Sequence, residues 1–429
     1  AGNYTFNTSA TTTADITARA LTVSATGQNK VYDGTTNATV TLGDNRVAGD
    51  NLSLAGTASF LNKNVGTAKT VNVTGINVTG TAAGNYTFNT TATTSADITP
   101  RALTVGGIGI SRVYDGTTNA SVTPTDNRVA GDVLTLTGTP AFADKHVGTA
   151  KTINITGITV TGTDAGNYTF NTSATTTADI TARALTVSAT GQNKVYDGTT
   201  VATVTLSDNR VAGDTLTLAG TGAFASKDVG TAKPVNVTGI NITGADAGNY
   251  TFNTTATTAA DITARTLTVS ATGQNKVYDG GTGATVSFGD NRVSGDALIL
   301  AGTASFADKN VGAAKAVNVT GINVTGGDSG NYTLGNTTAT TTADITARAL
   351  TVSATGQNKV YDGGSSATVT LGDNRVLGDA LSLSHGAASF TDKHAGTGKT
   401  VNVTGINVTG TDASNYTFNT TATTTADIT

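Results

Sequence analysis

The sequence has 429 residues, a net charge of −4 from 29 acidic and 25 basic side chains, and no Cys, Met or Trp. Without cysteine there is no disulfide scaffold, thiolate metal site or thiol nucleophile, and a nearly balanced charge with no basic block offers nothing to nucleic acid. No apolar run approaches the roughly 18–20 residues that span a bilayer and no signal peptide is visible, so membrane contact is not expected of this segment and any export signal or anchor is expected outside it.

Self-similarity dominates the chain. The joint Ala14-Asp15-Ile16-Thr17-Ala18-Arg19-Ala20-Leu21-Thr22-Val23 returns around Arg101, Arg183, Arg265 and Arg348, so the arginines Arg19 to Arg348 are spaced 82, 82, 82 and 83 residues apart. This divides the chain into repeats 19–100, 101–182, 183–264, 265–347 and 348–429. Residues 1–18 read as the C-terminal part of a preceding repeat, because Ala1-Gly2-Asn3-Tyr4-Thr5-Phe6-Asn7 matches Ala83-Gly84-Asn85-Tyr86-Thr87-Phe88-Asn89. The chain therefore reads as a window on something longer. A period near 80 residues is the size of a small independent β domain and far longer than a solenoid repeat.

Abundant Thr, Val, Ile and Gly with no Glu or Met favours strands over amphipathic helices. In the repeat starting at Arg183, Leu185, Val187 and Ala189 alternate as a half-buried strand over 184–190. Gly191-Gln192-Asn193 breaks that strand, and Asp197-Gly198 is expected to turn the chain through a positive φ. Residues 202–206 alternate again, 207–214 read as a polar loop, and 216–224 as a third strand. Val235, Val237, Ile240 and Ile242 then keep one face on either side of Gly239, which predicts a bulge or bend there. A last pair of strands runs from Asn249-Tyr250-Thr251-Phe252 to Ala260-Asp261-Ile262-Thr263. Seven or so short strands punctuated by turns predict an all-β chain: a tandem array of small antiparallel β-sandwich, immunoglobulin-like domains forming an extended rod, with another small β sandwich or a β-grasp-like domain as the alternative topology.

Asp246-Ala247-Gly248-Asn249-Tyr250 sharpens that expectation. Its Asp-x-Gly-x-Tyr form resembles a tyrosine corner, in which Asp246, Gly248 and Tyr250 hold a strand corner and the phenol bonds nearby backbone. The form recurs at Tyr168, Tyr332 and Tyr416, with Ser414 in place of Gly in the last and Ala82 in place of Asp in the first repeat. A second block, Lys-Val-Tyr-Asp-Gly-Thr-Thr, stands at Tyr32-Asp33-Gly34 and, with small changes, at Tyr114, Tyr196, Tyr278 and Tyr361. Together with the Ala-Gly-Asn-Tyr-Thr and Ala-Asp-Ile-Thr blocks it resembles the YDG repeat domains of large filamentous-haemagglutinin-like bacterial exoproteins. That resemblance covers every repeat and implies export to the bacterial cell surface.

No catalytic constellation is visible: His146, His385 and His394 do not recur in all repeats, and Ser and Thr have no partnered His. No cofactor is expected. Asp15, Asp33, Asp44 and Asp50 are the calcium candidates, since hard cations want several carboxylates together; the competing reading makes them turn carboxylates and ion-pair partners, with Arg46 between Asp44 and Asp50 as counter-ion. Lys30, Lys63 and Lys69 raise an isopeptide crosslink as a weaker idea, because they read as exposed turn residues. The joint arginines Arg19, Arg101, Arg183, Arg265 and Arg348 read as structural.

The expected role is mechanical: the stalk of a secreted surface adhesin, non-enzymatic, with neighbouring copies of itself or other cell-surface and matrix components as partners. A self-assembling matrix or sheath fibre and a glycan-binding repeat module are the alternatives. With no Gly, Ser or Pro-rich linker at the joint, the last strand of one repeat is expected to run directly into the first strand of the next.

Overall fold

The computed structural model describes residues 2–429. All regular structure is strand apart from five single-turn 3-10 segments, and no α-helix occurs among the described residues. Residues 2–18 form no strand.

In the first repeat, β1 (Arg19–Leu21), β2 (Val23–Gln28) and β3 (Lys30–Val31) follow one another with single-residue breaks. Next come β4 (Asn37–Asp44), β5 (Ser53–Phe60), the long β6 (Gly66–Thr79), β7 (Tyr86–Phe88) and β8 (Ala92–Thr99). The sheet order is β2-β4-β5-β6-β8-β3, so the stretch from Val23 to Val31 pairs with both outer members, β4 and β8. One strand serving both edges makes the sheet curl toward a half-barrel. In the second, fourth and fifth repeats the β4–β5 contact shrinks to single bridges, Asn119 to Ala141, Gly283 to Ser305 and Ser366 to Ser389.

Alternation builds the core. Val71 and Val73 on β6 face inward and are fully buried, Gly75 takes φ +61°, and Ile76 and Val78 then resume the inward face. The pairing of β5 with β6 slips by one residue between Ala55 and Thr57, which is the bulge expected from the odd step at this glycine. Leu21, Val23, Phe60, Ala96 and Ile98 close the same core.

The joint behaves differently from a simple extension of the next strand. In the third repeat the strand expected over 184–190 is broken at Thr186 into Arg183–Leu185 and Val187–Gly191. Arg183, Ala184 and Leu185 leave to pair in parallel with Tyr250, Thr251 and Phe252. The same parallel pairing joins Arg19–Leu21 to Tyr86–Phe88 and recurs in every repeat. Between β8 and the next joint strand, β9 (Arg101–Leu103), stands only Pro100. Ala182, Ala264 and Ala347 hold that place in the other joints.

Contacts group the chain into two compact units, and the division falls inside the third repeat. The first runs to Thr186 and takes in Asp208–Leu218 and Ile242–Asn253; the second holds Val187–Ser207, Ala219–Asn241 and Thr254–Thr429. The loops around Asp214 and Tyr250 thus belong with the second repeat, which precedes them. The side chains described next are the reason.

Candidate functional site

Each repeat carries two half-sites, and they meet those of its neighbours. The YDG turn and the loop after β5 form one half; the loop after β4 and the Asp-x-Gly-x-Tyr corner form the other. Where the first repeat meets the second, Tyr32 donates its hydroxyl to both Asp132 oxygens at 3.0 and 2.9 Å, and Tyr168 donates to Oδ2 at 2.6 Å. Lys63 Nζ lies 2.7 Å from Asp132 Oδ1 and 2.9 Å from Asp164 Oδ1. The Tyr32 and Tyr168 rings stand edge to face at 5.5 Å, and Lys63 sits 5.8 Å from the Tyr32 centroid. Val65 N donates to Asn167 Oδ1 at 2.9 Å.

Gly34, at φ +79°, completes the fit: a methyl added there would come within 2.7 Å of Val129 Cγ1. The YDG glycine therefore both turns the chain and admits a valine of the next repeat. The arrangement repeats with Tyr114, Lys145, Asp214, Asp246 and Tyr250; with Tyr196, Lys227, Asp296, Asp328 and Tyr332; and with Tyr278, Lys309, Asp379, Asp412 and Tyr416.

A buried carboxylate is costly unless fully partnered, and these are. Burial pushes the Asp132 carboxyl upward, but Lys63, Tyr168 and Tyr32 outweigh it and hold the group below its ordinary value. Asp132, and then Asp164, hold the Lys63 ammonium well above the usual lysine range. Burial, with the Asp132 charge behind it, pushes the Tyr168 phenol up to about 12. Lys63 keeps its charge and about a third of its side chain in water, an environment for ion pairing and not for amide formation.

Most of the expected site residues find local work. Asp44 chelates the Arg46 guanidinium, Nε to Oδ1 at 2.8 Å and Nη2 to Oδ2 at 2.5 Å, while Nη1 donates to the Leu52 carbonyl at 2.7 Å. Asp33 accepts from Thr35 N at 2.9 Å and from Lys30 at 2.8 Å, Asp50 pairs with the Tyr86 hydroxyl, and Asp15 is exposed. The four calcium candidates are not brought together; no cluster of three or more such ligands occurs among the described residues. The joint aspartate has another use in Asp97, whose Oδ1 accepts from Ala68 N at 2.7 Å, where Ala68 holds φ +46°.

Tyr250 does accept a backbone N–H, from Val211 at 2.9 Å, 39 residues upstream and outside its own loop. Asp246 accepts from Thr215 N at 3.0 Å and meets Lys145 of the preceding repeat, while Gly248 adopts no special φ and has open space around it. Of the joint arginines, Arg19 donates weakly to the Asn45 carbonyl at 3.4 Å, and the Nε atoms of Arg183 and Arg265 are buried without a partner. Arg101 and Arg348 are placed by their backbone pairing with Tyr168 and Tyr416. Read locally, Lys63 looks like an exposed turn residue and Asp50 like a turn carboxylate or calcium candidate; what local reading lacks is the partner one period away, Asp132 for Lys63.

Five stretches of the chain match the YDG domain: 17–95, 99–178, 181–259, 263–342 and 346–425. The chain belongs to the YDG domain family. In its YDG domains the name-giving Tyr and Gly both face the following repeat in the four seams just described. None of the curated proteins matches the chain in sequence. Among solved structures, similarity reaches Drosophila N-cadherin EC1-4 at 11% identity, over 77% of this chain and all of that one, with a TM-score of 0.18. The four N-terminal Ig domains of Dscam1 isoform 6.9 give 7% over 75% and 96%, TM-score 0.18. Domains 4–9 of the surface layer protein SbsC give 12% over 89% and 77%, TM-score 0.16. TM-scores this low carry no weight, and the fold rests on its own strand pairing.

Proposed function

We propose that these YDG repeats form a non-catalytic structural stalk in a secreted bacterial surface protein of the filamentous-haemagglutinin-like adhesin class, an extended rod holding other domains away from the cell. Each repeat is read as a curled relative of the small immunoglobulin-like sandwich. The observation that carries the proposal is the seam: a buried aspartate held by two tyrosines and a lysine from both neighbours, beside a one-residue joint. Flexible tethers need neither feature, whereas a strut that must keep its direction needs both. The test is the angle between consecutive repeats in images of single molecules. A narrow, common distribution at all four seams supports the strut; widely scattered angles refute it.

A further inference from the structure

The second repeat departs from its siblings at one strand. Where Leu42, Leu206, Phe288 and Leu371 stand half-buried in the other repeats, the second has Pro124, which is exposed. In the third repeat Leu206 Cδ1 would lie 3.3 Å from a β-carbon added at Gly220, and in the fourth Phe288 Cζ would lie 3.2 Å from one added at Gly302. Those side chains cover a glycine on the facing strand. At the matching Gly138 the two nearest side chains are Ile155 and Ile158, at 3.1 and 3.5 Å, both from the long strand Gly148–Thr161 beneath. Between Ser121–Thr125 and Thr135–Phe142 this leaves an open cavity of about 320 Å³, walled by Val122, Pro124, Leu136, Gly138, Ile155 and Ile158.

We propose that this cavity binds a small uncharged molecule bearing one aromatic ring or one branched alkyl group. The sibling repeats define the chemistry, because the same place takes a leucine side chain in the third and a phenyl ring in the fourth. Ile155 and Ile158, 4% and 3% exposed, make an apolar floor. The Ser121 and Thr137 hydroxyls stand in the walls, and no charged group lines them among the described residues. The volume falls at the small end of the range for ligand sites, and an apolar lining with a few hydroxyls is their usual composition.

An added β-strand is the competing occupant, since the two walls pair through a single bridge and leave strand edges facing the cavity. Pro124 and Pro140 stand on those two strands, and neither offers an N–H to a ladder, so the edges are poor templates for a strand. The matching cleft of the first repeat keeps Leu42 and takes Arg46 into its wall, which makes the second repeat the better apolar site. The cavity lies inside one repeat, and the inference therefore depends on neither the seams nor the stalk reading.

The experiment is saturation-transfer NMR on the 429-residue chain with toluene and isopentanol as separate probes. Transfer to the probe is expected, and Pro124→Phe and Pro124→Leu, which restore the side chains of the fourth and third repeats, should each lose most of it. Ile108→Thr is the control: Ile108 is 63% exposed on the same repeat, and Thr26 holds its place in the first, so this change should leave the signal intact. Circular dichroism of each variant confirms that the repeat stays folded. No transfer to either probe, transfer undiminished in both Pro124 variants, or an equal loss in Ile108→Thr overturns the proposal.

Discussion

Replacing Tyr196 by Phe removes one hydroxyl and leaves the ring in place against Tyr332, 5.5 Å away. The hydroxyl donates to both oxygens of Asp296, at 3.1 and 2.9 Å. Hydrogen bonds to charged groups contribute about 1.5–3 kcal/mol. Asp296 keeps Tyr332 at 2.6 Å and Lys227 at 3.0 Å, so the loss belongs at the low end, about 1.5 kcal/mol and a factor of about ten in the seam equilibrium. Tyr361 occupies the same place in its repeat but is half exposed in the 429-residue chain, and its Phe variant in that chain should cost nothing measurable. Urea unfolding of the full chain, followed by circular dichroism, compares the two. Equal destabilisation by both variants would refute the assignment, since the tyrosine would then be acting inside its own repeat.

Other expectations come from the same geometry. Gly116→Ala places a methyl 2.7 Å from Val211 Cγ1 at φ +81°, whereas Gly363→Ala at φ +83° meets open space. Both should lose roughly 1–2 kcal/mol to the left-handed backbone, and Gly116→Ala about 1–3 kcal/mol more from overpacking, measured as unfolding midpoints. Ala150 holds φ +47° where the fifth repeat has Gly398 at φ +60°, so Ala150→Gly should stabilise by roughly 1 kcal/mol in thermal unfolding. The seams should open at both pH extremes. The seam aspartates have lowered folded pKa values, so their contribution is full above the unfolded value of about 3.9 and is lost as pH falls through the folded one. Tyr168 and its counterparts are raised to about 12, so their contribution is full below about 10 and is lost as pH rises through 12. A stability plateau between these limits, read by urea midpoint against pH, is the expected profile.

Much of the repeat was legible in the sequence because its signals are local. Period-2 alternation gave the strands of the core, and the odd step around Gly75 and its counterparts gave the bulge. Asp-Gly likewise gave the positive φ at Gly34. The joint was legible as strand on both sides of Arg19, but not the break at Thr22 and Thr186. There, departure of the joint strand toward Tyr86 or Tyr250 is a tertiary pairing that no local pattern encodes. The seam was hidden for a similar reason. Tyr32 and Asp132 lie 100 residues apart, more than one period, and each looks like an ordinary turn residue in its own repeat. Asp44 shows the converse: the Arg46 counter-ion, two residues away, was within reach of local reading.

The pairing of β3 with β8 bears on how a repeat would respond to a pull. The two strands are parallel neighbours, with Lys30 beside Ile98 and Val31 beside Thr99, and Tyr32 N adds a bond to Thr99 O at 2.9 Å. Chain enters the repeat just before β1 and leaves it just after β8. Tension between those points drives the two strands in opposite directions along their common axis. Their hydrogen bonds are then loaded together in shear and cannot be unzipped one after another. The last bond in that clamp is made by the backbone of Tyr32, whose hydroxyl grips Asp132, so resistance to stretching within one repeat is wired to the grip on the next.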